Sequence, residues 1–214
     1  MPLDAVAYAG AIVRSVKSVE RDGKAAKAVV ATATYDTSLE DLWDAVTDPA
    51  RIKRWFLPIS GELKLGGRYQ LEGNAGGRIT ACDAPNFFAT TWEMHGQVSW
   101  VEVRLRAAGA GKATLELTHM AIVDDAFWPT YGPGAVGVGW DLGLLGLFRH
   151  IESPATERPP EADTTWPTSP EALQFYRVAS ARWGEAAAAD GMVNAMEAAE
   201  NTRKFYSGEA QPGM

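Results

Sequence analysis

The chain is 214 residues long, 46% apolar, with eight tryptophans and a formal net charge of −7. That length suits one domain of about 150 residues plus an extension, or two small ones, and an acidic chain with a pI near 5.0 speaks against a nucleic-acid partner, which needs clustered Lys and Arg to displace counterions. The lone Cys82 makes no intramolecular disulfide, and without a C-x-x-C or His/Cys cluster the sequence predicts no metal site, no cofactor and a reducing, cytoplasmic setting.

Residues 1–23 read as a lead-in segment that ends in the turn signal Asp22-Gly23. Its start carries Asp4 and no basic stretch before an apolar run, which speaks against a secretory signal. From Lys24 to Tyr35 a β-branched, Ala-rich run predicts a strand. Ser38, with Asp41 three residues on, is a capping-box pattern, and Leu39, Leu42, Trp43 and Val46 then share one helical face. Trp43 on that stripe reads as core. Asp48-Pro49 restarts a second short helix that ends at Trp55 and Phe56, ahead of Pro58.

From Gly61 the period changes to two. The runs ELKL, RYQLEGN, RITACD, FFATTWEM, SWVEVRLRA and ATLELTHMAI, separated by turn signals, predict an antiparallel meander, and with the first strand a sheet of about seven. In the last two runs the inward faces are Val101, Val103 and Leu105, then Leu115, Leu117, His119 and Ala121. Phe88, Thr90 and Trp92 share one face of their strand, assigned as the concave one.

After Ile122 the loop DDAFWPTYGPG is longer than a hairpin needs and brings Trp128 and Tyr131 as cover for a cavity. Residues 136–152 predict a long amphipathic helix with Val136, Trp140, Leu144, Leu147 and Ile151 on its stripe. Its glycines are unfavourable in a helix, so a neighbour must approach that backbone closely. The stretch Gly137–Phe148 is broken by Asp141 and is too short to span a bilayer, so no membrane partner is expected. A proline-rich linker, 154–170, leads to a helical hairpin over 171–214, with helices capped at Ser169-Pro170 and running from about Asp190 to Tyr206. Phe175, Val178, Trp183, Phe205 and Tyr206 need a partner surface. Two arrangements are open, packing on the outside of their own domain or a homodimer, and the homodimer is preferred.

Strand, two short helices, meander and long helix is a helix-grip order, and particular residues carry a closer match. Leu42-Trp43-Asp-Ala-Val-Thr-Asp-Pro49 followed by Trp55, Leu65-Gly-Gly67, the Asn86–Glu93 stretch ending in Thr91-Trp92-Glu93, Leu117-Thr-His119 and Gly139-Trp140 occur in the order of one family. Over residues 25–152 the chain resembles the activator-of-heat-shock-protein-ATPase homologue (Aha-type) branch of the START-like, SRPBCC superfamily. The resemblance implies an α+β helix-grip domain at 24–153, with a cavity between sheet and long helix that holds a small apolar molecule.

The candidate ligand-binding residues are Trp55, Phe56, Tyr69, Phe88, Thr90, Trp92, Val103, His119, Trp128, Tyr131, Trp140 and Leu144. His119 stands on an otherwise apolar face, as either a hydrogen-bonded core histidine or a polar anchor. No nucleophile, phosphate-loop or metalloprotease motif is present, so no catalytic residue is assigned. The expected function is binding of a small apolar or amphipathic ligand. The alternatives are a cyclase- or dehydratase-like enzyme with His119 as acid or base, and a co-chaperone role, which rests on family analogy alone.

Overall fold

The computed structural model describes residues 4–123, 127–155 and 164–209. In chain order these carry helix α1 (Ala5–Ala11), strands β1 (Val13–Arg21) and β2 (Lys24–Tyr35), and helices α2 (Leu39–Thr47) and α3 (Pro49–Trp55). Strands β3 (Ile59–Gly61), β4 (Arg68–Leu71), β5 (Gly76–Asp83), β6 (Phe87–Met94), β7 (Gln97–Ala107) and β8 (Ala113–Ile122) follow. Helices α4 (Phe127–Tyr131), α5 (Gly134–Glu152), α6 (Pro170–Ala189) and α7 (Ala195–Tyr206) complete the described chain. The strands form one antiparallel sheet in the order β1-β2-β8-β7-β6-β5-β4-β3, the α+β helix-grip fold that the element order predicts. No helix among the described residues is long and apolar enough to cross a membrane.

The sheet has eight strands rather than about seven. The added one is β1, inside the segment read as a lead-in, where Arg14, Lys17 and Glu20 obscure the alternation of an edge strand. ELKL is not a strand: Lys64 N–H donates to Glu62 O at 2.9 Å and Gly67 N–H to Lys64 O at 2.8 Å, while Ile59–Gly61 pairs with β4 instead. The second tail helix starts at Ala195, because Asp190 caps α6 and Gly191 leaves it with φ of 90°. Asp124-Asp125 and residues 156–163 of the linker lie outside the described residues.

The chain forms two compact units, one of Met1–Ala31, Ile122–Leu145 and Pro160–Met214, the other of Thr32–Ala121 and Gly146–Pro159. In the second unit Ser38 Oγ accepts from Asp41 N–H at 3.1 Å, but the Asp41 carboxylate is drawn away from the cap by Thr37 and Arg51. Arg51 ties three helices together. Its Nη1 donates to Asp41 at 2.8 Å and Asp44 at 3.1 Å on α2, and its Nε donates to His150 Nε2 at 3.1 Å on α5. Burial, then the Arg51 and Arg54 charges, hold His150 below the usual imidazole range. Trp55 Nε1 donates to Ala45 O at 2.9 Å, which closes α3 onto α2.

Gly146 explains one of the unfavourable helix glycines: a Cβ there would stand 2.3 Å from Trp55 O. We expect Gly146→Ala to lower stability by about 1–3 kcal/mol through overpacking, although Ala favours a helix by about 1 kcal/mol. A urea midpoint that stayed level or rose would show that α3 yields freely.

In the first unit α6 lies against α1 and β1, and α7 lies against α6 and α4, so the tail packs on its own chain. Phe175 and Trp183 are wholly buried. Gly137 admits the Trp183 ring, whose Cε2 would meet a Cβ at 2.2 Å. Of the expected α5 stripe Leu144 and Leu147 are buried and Val136, Trp140 and Ile151 half-buried, and the buried face extends to Val138, Asp141 and Leu145, which are fully buried. Asp141 is no interruption but an anchor. Arg14 Nε and Nη2 donate to its Oδ2 at 3.1 and 3.0 Å, and Trp183 Nε1 donates to the same oxygen at 2.9 Å. Burial raises the Asp141 carboxyl to about 6 against the pull of Arg14 and Trp183, so it is ionised at neutral pH opposite a buried guanidinium.

Candidate functional site

The strand registers place the candidates of β6, β7 and β8 on one face. Phe88 stands opposite Val103, Thr90 opposite Val101, and Trp92 opposite Ser99. Val101 in turn stands opposite His119, and Val103 opposite Leu117. Directly opposed residues in an antiparallel sheet share a side, so Thr90, Val101 and His119 form one row and Phe88, Val103 and Leu117 the next. The expected concave face of β6 is therefore the same face as the inward set of β7 and β8. Helix α2 packs on that side: Trp43 meets Phe88 edge-on, with ring centroids 6.1 Å apart.

Tyr69 joins the face from two strands away. It stands opposite Gly77 on β5, yet its hydroxyl donates to Thr91 O on β6 at 2.7 Å and lies 3.5 Å from Thr90 Oγ1. Gly77 has no side chain to block the ring, and a Cβ there would meet Thr91 O at 2.0 Å. The bare glycine is what lets the tyrosine lie across the strand between. Burial lifts the Tyr69 phenol above its usual range, so it stays neutral.

His119 belongs to a short relay. The Ser99 hydroxyl donates to Trp92 O at 3.2 Å and lies 2.8 Å from His119 Nε2. A hydroxyl has one proton to give, so which partner donates in the Ser99–His119 bond follows the imidazole tautomer. The imidazole ring lies 6.0 Å from the Trp92 ring. Only 7% of His119 is exposed, and burial pushes its pKa down to about 4, which leaves it uncharged at neutral pH.

Around these buried polar groups stand aromatic side chains that keep part of their surface open. Trp43, Trp55, Phe56, Phe88 and Trp92 are all half-buried, and Trp55 stacks on Phe56 at 5.5 Å. Trp43, read from its stripe as core, is half-buried against Phe88; Val101 was read as inward-facing but not as a candidate, and Ser99, on the same face, was not singled out. Counting back by two from Val101 reaches Ser99, so its side was implicit in the alternation.

The other four candidates stand in the first unit. Trp128 has Lys27 Nζ 5.8 Å from its ring. Tyr131 packs against Phe127 at 5.1 Å and Phe205 at 6.0 Å. Leu144 is buried and its carbonyl accepts from Tyr8 at 3.0 Å, and Trp140 is half-buried.

Known proteins place this arrangement in context. CalU16 from Micromonospora echinospora is 28% identical in its crystal structure, with a TM-score of 0.65, and the match covers 85% of this chain and 99% of that one. Its solution structure gives 29% identity, a TM-score of 0.68 and coverage of 85% and 97%. EF2215 from Enterococcus faecalis shares the fold at 14% identity, with a TM-score of 0.58 and coverage of 85% and 93%. Comparison with curated proteins gives no match. The family model described as "Activator of Hsp90 ATPase homolog 1-like protein" matches residues 36–144, just over half of the chain and the segment that holds α2, α3 and the whole meander. The chain belongs to this family of activator of Hsp90 ATPase homolog 1-like proteins.

Proposed function

We propose that the protein binds a small apolar or amphipathic molecule on the inner face of β4–β8. One observation carries this reading: half-buried aromatic side chains from α2, α3 and β6 stand around an uncharged polar set, the buried Thr90 and His119 and the half-buried Ser99. Ligand sites combine apolar and aromatic walls with a few placed polar groups in this way. The low pKa of His119 favours an anchor over a proton carrier, since a group that titrates near 4 is poorly matched to acid–base work at neutral pH.

The test uses N-phenyl-1-naphthylamine, an uncharged probe whose emission rises in apolar surroundings. Saturable binding at one site per chain is expected, with Phe88→Ala weakening it by about tenfold or more, as the loss of a buried aromatic contact implies. Linear, unsaturable uptake, or equal affinity in the variant, would contradict the reading. Native mass spectrometry of freshly purified protein should also find a retained small molecule.

A further inference from the structure

Helix α3 is fastened to α5 at two points, one turn apart on each helix. At one, Trp55 O lies over Gly146, where a Cβ would stand 2.3 Å away, so backbone rests on backbone. At the other, Arg51 Nε–H donates to His150 Nε2 at 3.1 Å. Arg51 and Trp55, like Gly146 and His150, are four residues apart, the spacing that puts two residues on one helix face. Arg54 adds an exposed bond to Pro154 O at 3.1 Å. The end of α3 fixed in this way carries the stacked pair Trp55 and Phe56 of the ligand face.

The second fastening has a protonation requirement. A guanidinium keeps its protons in a protein, so Arg51 Nε is always a donor and His150 Nε2 must offer a lone pair. The one proton of the neutral ring is then on Nδ1, which meets no acceptor among the described residues. A second proton would go onto Nε2. It would aim one N–H at another and set two cations in contact, while the imidazolium gained no new acceptor. His150 is 3% exposed, so water does not relieve that clash in place. The charged groups bearing on the ring are Arg51 and Arg54 from α3 and Asp41 from α2, and Asp44 is paired with Arg51 as well. Burial first, then the two arginines, outweigh Asp41 and hold the ring below the usual imidazole range. Asp41 itself stays ionised well into acid: against its burial, the hydrogen bonds from Arg51 and Thr37 hold it below the usual carboxylate range.

Resting on the binding reading above, we infer that the ligand face is acid-gated: protonation of His150 parts α3 from α5 at Arg51, and the Trp55 and Phe56 side of the site loses its hold on the ligand. The sign follows from linkage. The ring takes up a proton more readily once α3 is released than while it is docked, so docking is complete above the ordinary imidazole range and weakens as pH falls below it. A ligand held in part by α3 is therefore kept in neutral solution and given up in acid.

The test titrates N-phenyl-1-naphthylamine against the full chain and against His150→Gln, at about pH 7.5 and about pH 5, on either side of the ordinary imidazole pKa. The glutamine amide oxygen can accept from Arg51 and does not titrate. Wild type should bind several-fold more weakly at the lower pH, and His150→Gln should lose little. Asp141 and His119 are present in both chains, so their acid effects cancel in the comparison. In wild type without probe, amide-resolved NMR should show residues 50–56 shifting with the midpoint of the His150 ring. An equal loss of affinity in both chains, or none in wild type, would overturn the inference and leave the binding reading intact. Amides of residues 50–56 that stay in place as the ring titrates would overturn it as well, and that readout serves if His150→Gln does not fold. If those amides follow the ring while the probe binds at neither pH, the α3 switch stands and the binding reading fails.

Discussion

Asp141→Ala should lower the stability of the folded chain by about 3–5 kcal/mol, the range expected when one partner of a buried ion pair is removed and the other is left without compensation. The Arg14 side chain is 2% exposed and Asp141 is sealed completely, so water cannot take the place of the lost carboxylate. Arg14 would keep its bonds to Ile12 O and Ala9 O at 2.8 Å each, but its charge would remain. Trp183→Ala should cost a similar amount through lost burial and a cavity. Because Trp183 donates to Asp141, the double variant should lose less than the two singles combined. Denaturant midpoints check both, and trypsin should cut faster at Arg177 and Arg182 of α6 as the tail loosens. A midpoint unchanged in Asp141→Ala would mean that the tail is held by something else.

His119→Gln should change how stability responds to acid. The folded histidine titrates near 4 and an unfolded one near 6.5, so as pH falls the unfolded chain takes up the proton first. Stability from this group is complete above about 6.5 and is lost as pH falls toward 4, by about 3 kcal/mol in all. Asp141 acts in the opposite sense, since its raised pKa makes the folded state the better proton acceptor between 3.8 and about 6. The comparison that isolates His119 is therefore wild type against His119→Gln at each pH. The advantage of wild type should shrink through that window, and a difference independent of pH would show that His119 is not held neutral in the fold.

How far the sequence predicted this structure depends on whether the partners of a residue are local. The faces of β7 and β8 could be read by alternation alone, and the caps of α2 and α3 from Ser38, Asp48 and Pro49. The close approach to the α5 backbone was implied by its glycines, although not that Trp183 and the Trp55 carbonyl make it. Asp141 could not be read correctly, because its partner Arg14 lies 127 residues away and nothing nearby marks a carboxylate as buried. For the same reason β1 was taken as a lead-in: an edge strand with charges on it has no local signature of pairing. At the site, Trp43 was assigned to the core from its helical stripe, which gives the side it faces but not how fully that side is covered.

The central claim concerns the inner face of β4–β8, and amide-resolved NMR with saturating N-phenyl-1-naphthylamine tests it most directly. Shifts that saturate and cluster on Tyr69, Phe88, Thr90, Trp92, Ser99, Val101 and His119 are the result expected from a ligand on that face. Shifts confined to the outer rows, around Glu102, Arg104 and Glu116, or none that saturate, would contradict it.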